Sequence, residues 1–149
     1  MKHKFIIYGG GRRLEQILKN LIDNYNVKPS KVIIEKKDDN DIYLNKIKLV
    51  CRINKIIFVT SLVTDSEEKL IKILKFNEHE CKLFLCGASR IFSKKIISLY
   101  KIIYNCHGGI LPNVRGSSVL NWAIIENHKK IGFSIHKVTE KIDSGNILN

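Results

Sequence analysis

The sequence has few cysteines and no long apolar run, and each shortage excludes a class of protein. Its four cysteines form no Cys-x-x-Cys pair and lie in or beside apolar stretches, which argues against a disulfide framework and a zinc site. No uninterrupted apolar run reaches the roughly 18 residues that a membrane-spanning helix needs. The apolar stretch near the start is too short for a secretory signal. We therefore expect a cytoplasmic protein with no membrane association and no metal ion.

Length and composition are those of one ordinary globular domain. The chain has 149 residues, of which 44% are hydrophobic and 27% charged, enough to bury one core but not two. Lysine and arginine number 26 against 14 aspartates and glutamates, a formal net charge of +12. A basic excess favours polyanionic partners, but here it is mostly lysine spread over the whole chain. We expect phosphorylated ligands and no nucleic-acid partner.

Apolar residues follow a pattern of strands that alternate with helices. Short β-branched and apolar runs predict strands at 4–8, 31–35, 55–61, 82–86, 102–104 and 132–138, with helical spacing between several of them. Residues 36–41 predict a solvated, charged loop. Helix caps are predicted at Asp65, with Glu68 as a capping box, at Ser93 and at Ser117. This alternation predicts a single-domain α/β fold, a Rossmann-like three-layer sandwich with a mostly parallel sheet.

A run of three glycines follows the first predicted strand. It stands where a first turn between strand and helix would present backbone N–H groups to an anion. The spacing is not Gly-x-Gly-x-x-Gly and no P-loop Lys-Ser/Thr follows, so dinucleotide and ATP sites lack their defining residues. Two interpretations stay open. The segment is either a phosphate-binding site at Gly10, Gly11 and Arg12, or a tight turn followed by surface arginines.

Two polar side chains lie at the end of the fifth predicted strand. Asn105 and His107 are two residues apart, so both point to one side at the strand's carboxyl end, where α/β folds bind ligands. A later loop residue, Asp143, could orient the imidazole or stabilise its charged form. Taken singly, Asn-x-His beside glycines and Asp-Ser-Gly are common turn sequences.

Four motifs in a fixed order carry a resemblance to a known family. They are Asn-x-His at 105–107, Leu-Pro at 111–112 followed by Gly116, Gly-x-Ser-x-His at 132–136 and Asp-x-Gly-x-Ile at 143–147. In these motifs the chain resembles the folate-dependent formyltransferases, which include the glycinamide ribonucleotide, methionyl-tRNA and sugar-nucleotide N-formyltransferases. The resemblance is close over 82–148 and weaker before it. It departs at Gly108 and Gly109, where many members carry a serine.

The resemblance implies transfer of a formyl group from 10-formyltetrahydrofolate to a primary amine. Asn105, His107 and Asp143 fall on the family's catalytic residues. Asn105 and protonated His107 would donate hydrogen bonds to the oxyanion, and Asp143 would keep His107 charged and help move the amine proton through water. The implied folate contacts are Arg90, Ile91 and Phe92, through their main chain, and Val138, Thr139 and Glu140. For Ile91 and Phe92, ordinary core packing is the alternative.

The acceptor is predicted to be a small phosphorylated amine, for which we expect a nucleotide-linked amino sugar. Its predicted contacts are Gly10, Gly11, Arg12, Arg115 and His136, although His136 could equally be structural. Glycinamide ribonucleotide is the alternative acceptor, and hydrolysis or folate binding without turnover are alternative functions.

The sequence stops directly after the Asp-x-Gly-x-Ile motif. From this we expect that 1–149 is a formyltransferase catalytic domain without the family's usual C-terminal extension, and that tRNA is not its substrate. One face of the sheet would then lack a cover, and a homodimer is a hypothesis for covering it. Trp122 is expected to pack in the core because it lies at amphipathic spacing with neighbouring apolar residues.

Overall fold

Strands alternate with helices along the whole described chain. The computed structural model describes residues 4–75 and 81–148. In these ranges the strands are β1 (Phe5–Gly9), β2 (Lys31–Lys36), β3 (Ile57–Leu62), β4 (Lys82–Cys86), β5 (Ile103–His107) and β6 (Ser134–Lys137). The helices are α1 (Gly11–Tyr25), α2 (Ile42–Ile53), α3 (Glu67–Leu74), α4 (Lys94–Ile97) and α5 (Val119–Ile125).

The strands form one sheet in the order β3-β2-β1-β4-β5-β6. Pairing is parallel from β3 to β5, and β6 runs antiparallel to β5. The chain builds outward from β1 to β3, then returns to the other side of β1 to form β4. Strand order therefore reverses between β1 and β4, which is where such sheets bind ligands. The predicted Rossmann-like, mostly parallel sheet is confirmed.

Each face of the sheet has its own hydrophobic core, as expected for parallel strands that are covered on both sides. On one face α1 and α2 pack against the strands and bury residues such as Leu18 and Ile47. On the other face α3 and α4 bury residues such as Leu70 and Ile96. These three layers hold the carboxyl ends of the central strands side by side.

Helix α2 was not among the predicted elements. Leu44, Ile47 and Cys51 face the core at helical spacing. Asp41, predicted to be part of a charged loop, caps the helix because its carboxylate accepts the N–H of Tyr43 at 2.8 Å. The signal was present in the sequence, but lysines and asparagines interleave the apolar positions and weaken it.

The predicted cap of α3 is wrong by one residue. Ser66 is the cap, since its Oγ accepts the N–H of Lys69 at 3.3 Å. The carboxylate of Asp65 turns back and accepts the N–H of Leu62 at 2.8 Å instead. An aspartate and a serine at adjacent positions can both cap a helix, so only the turn geometry decides between them.

The other two predicted caps have opposite outcomes. Ser93 does cap α4, where its Oγ accepts the N–H of Ile96 at 3.4 Å. Helix α5 instead begins after Ser118, whose side chain makes no capping bond, so the cap predicted at Ser117 is wrong. Trp122 on this helix is 54% exposed, which corrects the expectation that it packs in the core.

Large apolar side chains remain exposed around α5 and β6. The most exposed are Trp122, Ile124, Ile125, Ile131 and Phe133. Large exposed apolar patches are typical of contact sites, and the homodimer stays a prediction. Among the helices of 4–75 and 81–148, none is both long and apolar enough to cross a bilayer.

Candidate active site

A cleft of about 850 Å³ opens at the carboxyl ends of β1, β4 and β5. Its walls are the turn between β1 and α1, the loop after β4, the end of β5, and the segments 116–119 and 138–143. The cleft lies at the reversal of strand order, and its volume falls within the usual range for ligand sites, roughly 300–1,000 Å³. This cleft is therefore the candidate active site.

Two glycines allow the walls of the cleft to approach each other. A Cβ on Gly10 would lie 2.3 Å from the main-chain oxygen of Glu35. Gly87 has φ of +70°, and a Cβ there would lie 2.8 Å from the oxygen of Gly10. Side chains at these positions would push apart the loops after β1, β2 and β4.

Four polar side chains meet in the centre of the cleft, around Asp143. One carboxylate oxygen, Oδ2, lies 3.4 Å from Nδ1 of His107 and accepts the N–H of Gly116 at 2.9 Å. The other, Oδ1, lies 3.2 Å from Nε2 of His136 and 3.5 Å from the amide nitrogen of Asn105. The structure thus brings together all three residues predicted to be catalytic.

The main chain fixes one proton on the ring of His107, which is 6% exposed. Its Nε2 lies 2.7 Å from the oxygen of Val114, and a carbonyl oxygen only accepts, so Nε2 carries a hydrogen. The remaining nitrogen, Nδ1, faces Asp143. A hydrogen bond there requires a second proton, which would make the ring a cation. The geometry suits an imidazolium paired with a carboxylate.

His136 is buried within the cluster, with 2% of its surface exposed. Its Nδ1 lies 3.0 Å from the oxygen of Lys137, so this nitrogen is the donor. Its Nε2 lies 3.3 Å from the amide nitrogen of Asn105 and also faces Asp143. These contacts support a role in holding the cluster, while its predicted contact with the acceptor stays a prediction.

The Asp-x-Gly motif builds the turn that presents the carboxylate. Asp143 has φ of +45°, a left-handed conformation that aspartate tolerates better than most residues. A Cβ on Gly145 would lie 1.8 Å from the oxygen of Lys137, so this position needs glycine. The close approach of Gly145 to Lys137, the last residue of β6, holds the loop that carries Asp143 against the end of that strand.

The loop after β4 lines the cleft at residues 87–92, and its one charged side chain is bound elsewhere in the fold. The Arg90 guanidinium donates to the oxygens of Leu62, Val63 and Asp65, in the turn after β3. Its side chain is therefore engaged by the protein itself, and the predicted folate contact through its main chain stays a prediction. The exposed Ile91 does not pack in the core, since 69% of its surface is free.

Phe92 is both a core residue and part of the cleft wall. It is 4% exposed, and its ring packs edge-on against Tyr8 at 5.3 Å between ring centres. Across the cleft, Val138, Thr139 and Glu140 all line the wall, and Glu140 lies 3.6 Å from Nζ of Lys94. Both segments predicted to contact folate thus border one cleft.

One end of the cleft is cationic. Gly10 and Arg12 line it as predicted, together with Arg13 and Lys37. Helix α1 starts there without an acidic residue in its first turn or a side-chain cap, and uncapped N–H groups at a helix N-terminus favour anions. Arg13 and Lys37 were not predicted as site residues, although Lys37 directly follows β2 and its position near a strand's carboxyl end was a usable signal.

Two residues predicted to bind the acceptor lie outside the lining of the cleft. Gly11 is the first residue of α1 and lies between Gly10 and Arg12, which both line the cleft, but it is not part of the lining itself. Arg115 is exposed and precedes the segment 116–119 that forms the wall. Among residues 4–75 and 81–148, no group of three or more potential metal ligands is arranged to hold an ion.

Comparison with known proteins connects this site to one family. The sequence profile described as Formyl transferase matches residues 1–149. The chain is 43% identical over 61 residues to the bifunctional polymyxin resistance protein ArnA of Wigglesworthia glossinidia brevipalpis, covering 40% of this chain and 9% of that protein. It is 29% identical over 136 residues to methionyl-tRNA formyltransferase of Borrelia duttonii, covering 89% and 43%. The chain thus spans less than half the length of either relative.

Solved structures share the fold. Glycinamide ribonucleotide transformylase 1 from Symbiobacterium toebii superposes with a TM-score of 0.77 at 17% identity, covering 99% of this chain and 71% of that one. Phosphoribosylglycinamide formyltransferase from Bacillus halodurans superposes with a TM-score of 0.76 at 21% identity, covering 98% and 77%. At these identities the likeness concerns the fold alone. The family profile confirms the resemblance seen in the four motifs.

Proposed function

The chain belongs to the formyl transferase family, and from this premise we propose that it transfers a formyl group from 10-formyltetrahydrofolate to a primary amine. The observation that carries the proposal is the contact of Asp143 with both His107 and Asn105 inside the cleft. The folate supplies an activated formyl group when bound. Residues 90–92 and 138–140 both line the cleft, and we propose that the folate ring system binds between them.

The residues of the cluster would lower the barrier by stabilising charge. Attack of an amine on a formyl carbon places negative charge on its oxygen, and donors aimed at that oxygen act most strongly in the transition state. Asn105 supplies an amide donor and protonated His107 an imidazolium donor. Asp143 pairs with His107 and, through water, would move a proton from the amine toward the leaving nitrogen.

The cationic end of the cleft supports a phosphorylated acceptor. Arg12, Arg13 and Lys37 stand beside the N-terminus of α1, where a phosphate is stabilised by N–H groups and by the helix dipole. Asp143 and His107 line the same cleft. A molecule with its phosphate at one end and its amine at the other therefore fits, and we propose a nucleotide-linked amino sugar.

A panel assay tests the function. Purified protein and 10-formyltetrahydrofolate are mixed with nucleotide-linked amino sugars, glycinamide ribonucleotide or no acceptor, and free tetrahydrofolate is followed. We expect release that depends on an amino sugar and falls about a hundred-fold in His107→Ala, since one oxyanion donor is lost. Release without an acceptor would indicate hydrolysis. Folate binding without release would indicate a relative that does not turn over.

A second prediction concerns the phosphate. Arg12→Ala is expected to raise the KM for the acceptor about tenfold and to leave kcat nearly unchanged, because the arginine would contact a part of the acceptor that does not react. Steady-state kinetics with varied acceptor measure both constants. Arg52→Ala on α2, another exposed arginine, is the matched control and should change neither. Equal effects of both variants would contradict a specific phosphate contact.

A further inference from the structure

A buried carboxylate outside the catalytic cluster links β1, β2 and the loop after β4. Glu35 in β2 is 4% exposed. One of its oxygens, Oε1, accepts the hydroxyl of Tyr8 at 2.8 Å, and the other, Oε2, accepts the main-chain N–H of Ser89 at 2.5 Å. A buried charge is tolerated only where such bonds compensate its lost hydration. Glu35 is therefore held in one position by partners on two other segments.

Tyr8 remains a hydrogen-bond donor to Glu35. It is fully buried on β1. Burial, followed by the negative charge of Glu35, raises the pKa of the Tyr8 hydroxyl, so the phenol keeps its proton. The ring of Tyr8 also packs against Phe92. The Tyr8–Glu35 pair thus contacts the loop after β4 at Ser89 and again at Phe92.

The loop that Glu35 holds carries the main-chain groups proposed to bind folate. Ser89 directly precedes Arg90, Ile91 and Phe92. On the far side, the Arg90 guanidinium anchors the loop to the turn after β3. The Glu35 carboxylate anchors the same loop at Ser89, so the position of the Ser89 main chain depends on this carboxylate.

We propose that Glu35 is a positioning residue for the folate, because its carboxylate fixes the Ser89 main chain and thereby the cleft wall at 90–92. The inference rests on the proposed function. Its effect is expected on folate binding, because the carboxylate contacts Tyr8 and Ser89, whereas the proposed acceptor contact is Arg12. We assign Glu35 no part in proton transfer, since it is buried and is not among the residues that line the cleft.

Two substitutions at position 35 and one at position 8 test this. Glu35→Ala is expected to raise the Kd for 5-formyltetrahydrofolate, measured by calorimetry, about tenfold, with the KM for the acceptor unchanged. Glu35→Gln, which keeps one oxygen for the Ser89 N–H, should restore most of the affinity. Tyr8→Phe keeps the bond to Ser89, so it should lower Tm but leave the folate Kd within about twofold of the wild-type value.

The matched control is Glu15, another buried glutamate, which is 8% exposed and pairs with Lys19 at 2.7 Å. Glu15→Ala and Glu15→Gln should leave the folate Kd unchanged. Wild-type protein that binds no folate would overturn the proposed function and this inference with it. If wild-type protein binds folate and the position-35 variants bind it equally well, this inference alone is overturned. The same holds if those variants match Tyr8→Phe in both Tm and folate Kd.

Discussion

Asp143→Asn is expected to lower kcat/KM for formyl transfer about a thousand-fold without unfolding the protein. The asparagine oxygen can still accept the Gly116 N–H, as the carboxylate does at 2.9 Å. It carries no charge, however, so Nδ1 of His107 no longer faces an anion at 3.4 Å, and an amide replaces the carboxylate beside Nε2 of His136. The corresponding Asp→Asn change in a Ser-His-Asp site costs as much as roughly 10⁴-fold.

Steady-state kinetics with the best acceptor of the panel would measure this loss, and circular dichroism would check the fold. Asp23→Asn, an exposed carboxylate on α1, is the control and should keep wild-type activity. A variant that keeps more than about a tenth of wild-type activity would show that Asp143 is dispensable for the chemistry.

Gly145→Ala is expected to destabilise the protein by about 3 kcal/mol and to abolish most activity. The new Cβ would stand 1.8 Å from the oxygen of Lys137, and main-chain atoms of a strand end cannot move away without breaking the pairing of β6 with β5. Because Asp143 lies two residues before this glycine, its carboxylate would move away from His107. Both stability and catalysis should therefore suffer from one added methyl group.

Thermal unfolding should show a fall in Tm of roughly 10 °C for a chain of this size. Gly132→Ala is the matched control, because a Cβ there would meet only the side chain of Ile110, at 3.2 Å, which can rotate. If Gly145→Ala and Gly132→Ala unfold at the same temperature, the close contact with Lys137 does not constrain the loop.

The parts of the fold that could be predicted are those with local signals. All six predicted strands overlap observed ones because each is a short run rich in apolar or β-branched residues, and Ser93 was found because a cap acts within three residues. Asp65 and Ser66 differ only in how the preceding turn folds. Helix α2 was missed because tertiary packing, rather than a strong apolar stripe, holds its face against α1.

The part of the site that could be predicted is the part that follows from the alternation of side chains along one strand. Asn105 and His107 point to one side because side chains alternate along a strand, and both reach the cleft. Arg13, Lys37 and Glu35 were not predicted, since each is near the cleft only because β1, β2 and β4 end at one edge of the sheet. Arg115 was predicted and lies outside the lining because the loop turns inward only after it.

The sequence by itself determined the alternation of strands and helices, the polar residues at the end of β5 and the family motifs, because all of these are local patterns in the chain. Only the tertiary structure decided that Asp143 lies against His107 and His136, and that a glutamate on β2 holds a loop after β4. Contacts between segments so far apart in the chain depend on strand order and on the antiparallel pairing of β6 with β5. Both are set by the packing of the whole sheet, which no short stretch of sequence specifies.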